Sequence, residues 1–222
     1  MAGPRSLPWW KPTIKTGLHA LYTLPILALL ARGYADYSGT DFLGGLGVNP
    51  IETVIRNLGD WSIRFLIVAL AVTPVRRISG LPQIARYRRM LGLWAFAYVT
   101  IHLLFFIGVD QYFDWHEIWK EILKNKFITV GMLGFVFLLP LALTSTSGMI
   151  RRLGAARWRR LHRLVYFAGI AGAIHYIWMV KAITIEPVIY TAIIAILLAM
   201  RVFWWAQTRQ AIAPQRVASK AG

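Results

Sequence analysis

The chain alternates between long apolar runs and short polar segments, and the runs recur six times. They cover residues 14–31, 53–73, 91–109, 128–144, 163–180 and 187–206. Each is near the ~20 residues that a helix needs to cross the hydrocarbon of a bilayer. The pattern predicts an all-α integral membrane protein: six transmembrane helices bundled in a single domain over 1–222. The second run is the least hydrophobic, because Arg56, Asp60 and Arg64 lie in or beside its first half. Between 110 and 127, the segment Y-F-D-W-H-E-I-W-K-E-I-L spaces Trp115, Ile118, Trp119 and Ile122 at helical intervals. That spacing predicts a short amphipathic helix on the membrane surface, with Trp at headgroup depth. Anchoring in lipid is the plainer reading of it, and docking of an outer partner the sharper one.

A net charge of +16 on a chain that is 57% hydrophobic first suggests nucleic acid, but its distribution argues for a membrane. Residues 1–15, 74–90, 145–163 and 201–222 hold three, five, six and four Lys or Arg, eighteen in all. The alternate loops 32–50, 110–127 and 181–187 hold only five, together with seven of the nine acidic residues. Cytoplasmic retention of Lys and Arg therefore places both termini, the basic segments 1–13 and 207–222, in the cytoplasm. No A-x-A-like site follows the first apolar run, which reads as a retained span. The basic tail after Met200 reads as flexible.

The chain contains no cysteine. Iron–sulfur clusters, covalently attached haem, zinc–thiolate sites, disulfides and thiol catalysis are thereby excluded. The only Gly-rich loop, G-G-L-G at 44–47, lacks the spacing and the preceding strand of a dinucleotide fingerprint. Any metal must therefore be held by His, Met, Asp, Glu, Tyr or an external cofactor.

The organising stretch is W-R-R-L-H-R-L-V-Y-F-A-G-I-A-G-A-I-H-Y-I-W-M, residues 158–179, with His162 and His175 toward its two ends. On a helix, Ala168, Ala171 and Gly172 share a face with His175 and leave a shallow trough beside the imidazole. Close packing of two helices is the plainer reading of such a strip. In the third run, His102 lies about twelve residues, or ~18 Å, above the basic edge at Arg88 and Arg89. His175 stands at a matching height above Arg163 on a parallel span. Two histidines at equal depth, toward the outer leaflet, suit the two axial positions of a haem b. A hydrogen-bonded structural pair and a proton relay in a transporter are the alternatives. His162 lies thirteen residues before His175, about 140° away around the helix, so the two do not share a face. Ligation of an inner cofactor, the wall of a flavin or quinone site, and solvation beside Arg159, Arg160 and Arg163 all stay open for it. For His19 a structural place is expected, and for His116 a solvated one.

Four segments carry a resemblance: L-G-L-W-A-F-A-Y-V-T-I-H up to His102, L-T-S-T-S-G-M-I-R-R-L-G at 143–154, W-R-R-L-H-R-L-V-Y at 158–166 and I-H-Y-I-W-M-V-K at 174–181. With these the chain resembles the MsrQ (formerly YedZ) family of the ferric-reductase-like transmembrane group. The resemblance spans essentially the whole chain and is densest from 86 to 190. It implies that His102, His175 and His162 are the haem-site histidines, the first two as axial ligands of one haem b. It leaves a second haem or an inner relay open at His162. The wider group carries two histidines on each of its third and fifth spans, whereas here the inner position of the third span is held by Arg88 and Arg89. The wider group also contains the NADPH oxidases, whose C-terminal FAD and NAD(P)H module this sequence lacks, and the MsrQ family is also associated with FMN. The implied function is a non-catalytic electron-transfer subunit of the bacterial inner membrane. Its implied donor is the quinone pool or a cytosolic flavin reductase. Its implied acceptor is a periplasmic molybdopterin methionine sulfoxide reductase that repairs oxidised proteins. A ferric-reductase-like or cytochrome-b-like protein that reduces a small external acceptor directly is the alternative. Lipid is an implied partner, and nucleic acid is not.

Overall fold

The computed structural model describes residues 12–40, 44–180 and 184–218, with side chains described over 14–40, 44–180 and 184–210. Most of the basic segment 1–13, residues 181–183 of the third outward loop and residues 219–222 lie outside the described stretches. The described residues form eight α-helices and no strand. In chain order they are α1 Pro12–Ser38, α2 Pro50–Ser79, α3 Tyr87–Phe105, α4 Trp115–Lys124, α5 Lys126–Leu143, α6 Ser147–Leu161, α7 Leu164–Met179 and α8 Ile185–Ala218. A 3-10 turn (Pro82–Arg86) leads into α3 and a π turn (Phe106–Asp110) follows it. All six apolar runs are helical. Five of the helices are long and apolar enough to span a bilayer, while α7, at 16 residues, is a shorter apolar helix.

Three stretches depart from the sequence reading. Segment 145–163, read as a loop, is the helix α6. Thr146 caps it by accepting from the Met149 N–H, and Gly154 (φ 74°, ψ 150°) breaks it. Such a φ is easy only for glycine. The tail read as flexible from Met200 onward continues α8 as far as Ala218. Residues 201–213 contain no glycine or proline. Arg77 stands 4.6 Å over the Trp204 ring and Arg209 3.8 Å over Trp205. The third run ends in a π turn just beyond His102, a local widening often found beside functional sites.

The chain forms two compact units, residues 1–61 and 62–222, and α2 runs from one into the other. In the first, Leu21, Leu24, Leu27 and Leu30 of α1 are all more than half exposed, as suits a helix bathed in lipid. The loop after α1 is tied back by Arg32, which donates to the Gly45 carbonyl at 2.6 Å, and by Asp36, which accepts from the Leu46 N–H at 2.7 Å.

In the second unit, α2 meets α3 where the Ser62 hydroxyl donates to the Ala95 carbonyl at 3.1 Å. Phe65, Trp94 and a fully buried Tyr98 cluster beside that contact. Helix α5 packs along α7, and α7 along α8. Ile63, Ala173, Tyr176 and Ile194 form a core from α2, α7 and α8. Arg64, the charge that lowers the hydropathy of the second run, donates to the Tyr190 hydroxyl at 2.8 Å and approaches Glu186 at 3.9 Å. An arginine within an apolar helix is costly unless partnered in this way. Helix α4 forms where the amphipathic pattern placed it. Asp114 caps it by accepting from the His116 and Glu117 N–H groups. Ile118 turns inward, while Trp115, Trp119 and Leu123 stay exposed. His116 is exposed as expected.

Candidate functional site

His102 comes from the last turn of α3 and His175 from α7, one turn before its end at Met179. Their ring centroids are 6.3 Å apart, and the ring planes stand 84° to one another. A metal–imidazole bond is about 2 Å long, and the ring centre lies about 1 Å beyond the nitrogen, so two imidazoles trans on one metal have centres about 6 Å apart. The separation is thus that of two axial ligands, reached before any ligand is added.

The His175 ring is also fixed in its proton state. Its Nδ1 lies 2.7 Å from the Phe127 carbonyl oxygen on α5. A carbonyl only accepts, so Nδ1 carries the proton and Nε2 keeps its lone pair. Metal-binding histidines are characteristically held like this, with the second nitrogen donating to a backbone carbonyl. Helix α5 leaves room for the contact by a residue that spacing within the fifth run could not reveal. Gly131 follows Phe127 by one turn, and a Cβ there would lie 2.7 Å from His175 Nδ1. The side chain missing at Gly131 is what lets the imidazole reach the Phe127 carbonyl.

The strip of small residues on α7 divides in two. A Cβ on Gly134 of α5 would lie 3.6 Å from the Ala171 Cβ and 3.9 Å from the Ala168 carbonyl oxygen. That half is helix packing, with Ala168 and Ala171 buried. A Cβ on Gly172 would meet nothing within 4 Å, so the half nearest His175 opens on free space. Open space beside the strip is thus confined to the Gly172 end. Among the described residues no group of three or more His, Asp or Glu could hold a bare metal ion. With two facing imidazoles, no cysteine and apolar walls, the residues fit an iron whose equatorial ligands come with it, as in haem.

His162 is held quite differently. Its ring stacks on Trp158 with centroids 3.8 Å apart, and its Nε2 lies 3.2 Å from the Thr144 hydroxyl. That hydroxyl donates to the Pro140 carbonyl at 2.6 Å, so it accepts from His162 and Nε2 carries the proton. The Trp158 N–H donates to the Thr144 carbonyl at 2.9 Å and completes the cluster. Burial first, and then the charge of Arg88, push the imidazole down to about 4. The neighbouring Arg159, Arg160 and Arg163 are exposed, and the half-buried cation acting on His162 is Arg88. His162 stands apart from the pair, at the joint of α6 and α7. His19 lies half-buried on α1 in the first unit.

Residues 58–173, slightly more than half of the chain, match the family described as ferric reductase like transmembrane component. A protein of Caulobacter vibrioides is 48% identical over 203 residues, covering 91% of this chain and 93% of its own length. One of Rhodospirillum rubrum is 54% identical over 164 residues, 73% of this chain and 79% of that one. Both are named protein-methionine-sulfoxide reductase heme-binding subunit MsrQ. The chain belongs to the MsrQ family. A further MsrQ, from Herminiimonas arsenicoxydans, is 50% identical over 187 residues, 83% of this chain and 84% of that one. The family match takes in His102 and His162 and ends at Ala173, two residues before His175. The MsrQ matches that cover nine-tenths of the chain fit the multi-pass architecture that the apolar helices indicate.

Proposed function

We propose that this MsrQ-family chain is a membrane electron-transfer subunit that holds a haem b between α3 and α7, with His102 and His175 as its axial ligands. The facing imidazoles, 6.3 Å apart with the His175 tautomer fixed by Phe127, carry this reading. Bound haem supplies a one-electron iron couple. The chain's own part is to present the two imidazoles and to strengthen the His175 donor through its hydrogen bond. Its apolar walls bias the potential by excluding water. Catalysis of the repair itself belongs to a partner.

In this reading six spans cross the bacterial inner membrane with both termini in the cytoplasm, and α7 is the short fifth span. Electrons enter at the His162 end from the quinone pool or a cytosolic flavin reductase. They leave at the His102–His175 end to a periplasmic molybdopterin methionine sulfoxide reductase. The name of the relatives, a heme-binding subunit of a protein-methionine-sulfoxide reductase, supports a methionine-sulfoxide reductase partner. A second haem or a bound FMN belongs to the inner end. Direct reduction of a small external acceptor is the second reading, supported by the ferric-reductase-like match.

Two experiments decide. A dithionite-reduced minus oxidised spectrum of the purified protein will show a sharp b-type α band, and its absence would sink both readings. The reduced protein is then mixed with the molybdoenzyme from the same cells or with a ferric chelate. Rapid reoxidation by the molybdoenzyme alone supports the first reading, and by the chelate alone the second.

A further inference from the structure

Helix α4 is tied to the surroundings of both facing histidines. At its entrance the chain leaves the π turn that follows His102, and Tyr112 and Phe113 both take left-handed backbone, with φ 48° and 59°. Bulky aromatic residues adopt such angles only when the surroundings hold them there. The Phe113 N–H donates to the Ile107 carbonyl at 2.9 Å. The Phe113 ring folds onto Gly108, where a Cβ would come within 3.0 Å of it. At the exit of α4, the Thr129 hydroxyl of α5 donates to the Ile122 carbonyl, and the Asn125 amide donates to Glu121. Thr129 is two residues from Phe127, whose carbonyl accepts from His175 at 2.7 Å. One helix of ten residues thus straps the turn beyond His102 to the turn that holds His175.

At 100° per residue, Trp115, Ile118, Trp119, Ile122 and Leu123 fall within one arc of ~140°. Ile118 is buried and Ile122 half-buried against the protein. Trp115, Trp119 and Leu123 continue the same arc, yet they are 67%, 64% and 68% exposed. The opposite face carries Glu117, Lys120, Glu121 and Lys124, two acids against two bases. Lys120 pairs with Glu117 at 2.8 Å, and Glu121 accepts from Asn125. Most of that charge is spent locally, which leaves little to recognise a charged protein surface. The spans that α4 joins expose Leu104 and Leu133, side chains of a lipid-facing surface. With only Asn125 between α4 and α5, the helix stays at the level of the span ends. Tryptophan is the side chain favoured at headgroup depth.

We propose that α4 is a strap held down by lipid. Trp115, Trp119 and Leu123 seat it in the phospholipid surface on the histidine side of the membrane, and that seat keeps Phe113 and Phe127 in place around His102 and His175. The effect on the pair rests on the haem reading, whereas the lipid seat does not. A loosened strap weakens the hydrogen bond at the Phe127 carbonyl and lowers the donor strength of His175, which raises the potential of the iron that it would ligate.

The chain has no cysteine, so an introduced one takes a nitroxide label without background. The full-length protein is labelled at Leu123→Cys or at Lys120→Cys and reconstituted in phosphatidylcholine vesicles. The label at 123 should collide with apolar oxygen and escape a water-soluble nickel chelate, and the label at 120 should do the reverse. Equal access of the chelate to both labels overturns the proposal. Shielding of the label at 123 only after the methionine-sulfoxide reductase partner is added overturns it too, and makes this face a protein dock. In the Leu123→Cys background, Trp115→Ser with Trp119→Ser should bring the label into water and raise the haem midpoint. Trp115→Phe with Trp119→Phe should restore both readings. A label that moves while the midpoint and low-spin spectrum stay as in wild type would refute the strap. Wild type without a b-type band would sink the haem reading instead, and the two labels would still decide the lipid seat.

Discussion

His162, just before α7, and His175, within it, show how one side chain serves two different environments. His175 commits Nδ1 to a backbone carbonyl and keeps Nε2 bare, in a ring 6.3 Å from another imidazole. His162 commits Nε2 to a hydroxyl, lies flat on Trp158 and feels an arginine. An imidazole with one nitrogen tied to a carbonyl and a second imidazole 6.3 Å away suits the proposed metal site. A neutral ring stacked on an indole, with its N–H given to a hydroxyl, is tied into the joint of α6 and α7. What separates the two is the partner taken by the other nitrogen, which fixes the tautomer and the direction of the remaining lone pair.

The comparison breaks most severely at Gly131. Gly131→Leu fills the space that His175 Nδ1 occupies, and overpacking of this kind costs about 1–3 kcal/mol where it can be relieved at all. The relief open here is to push the imidazole off Phe127, so most of the haem absorbance should disappear while the protein still reaches the membrane. Full haem content in that variant would mean that the Phe127 contact does not position the ligand. A milder effect is expected at Gly172, where the space is open. Gly172→Leu should lower haem per chain by roughly half, the effect of a bulky group in a cofactor trough instead of on its ligand. Ile177→Leu, farther along α7 and already exposed, should leave it unchanged. Equal loading in the two would make the whole strip helix packing.

How much of this was legible in the sequence follows from what periodicity encodes. The six helices, the facing histidines and the small-residue strip were readable, because apolar runs and angular spacing are properties of one helix at a time. Gly131 and Phe127 were not. Their importance is to a neighbouring helix, and nothing within the fifth run's partner on α5 marks which glycine an imidazole will meet. For the same reason the basic partner of His162 was sought among its chain neighbours Arg159, Arg160 and Arg163. The cation that acts on it is Arg88, seventy-four residues away in the chain. The kinked helix α6 was hidden by its many arginines, which read as a loop when hydropathy alone was weighed.

The smallest effect on the spectrum, and the sharpest test of the difference between the rings, belongs to His162. His162→Ala should slow reduction from the cytoplasmic donor by about ten-fold, the loss of one interaction of about 1.4 kcal/mol. The haem band and electron delivery to the outer partner should stay as in wild type. Loss of the outer haem with normal donor-side kinetics would mean that His162 serves the outer site.

The central claim, axial ligation by His102 and His175, is tested most directly by exchanging one ligand for another kind. His102→Ala and His175→Ala should each lose most of the haem. His102→Met should keep it, because a thioether can occupy the same axial position. Replacing one imidazole by methionine raises the potential of a haem iron. Potentiometric titration of the His102→Met protein, followed at the α band, should therefore give a clearly higher midpoint than wild type, with an altered low-spin spectrum. An unchanged midpoint and an unchanged spectrum in that variant would show that His102 is not a ligand.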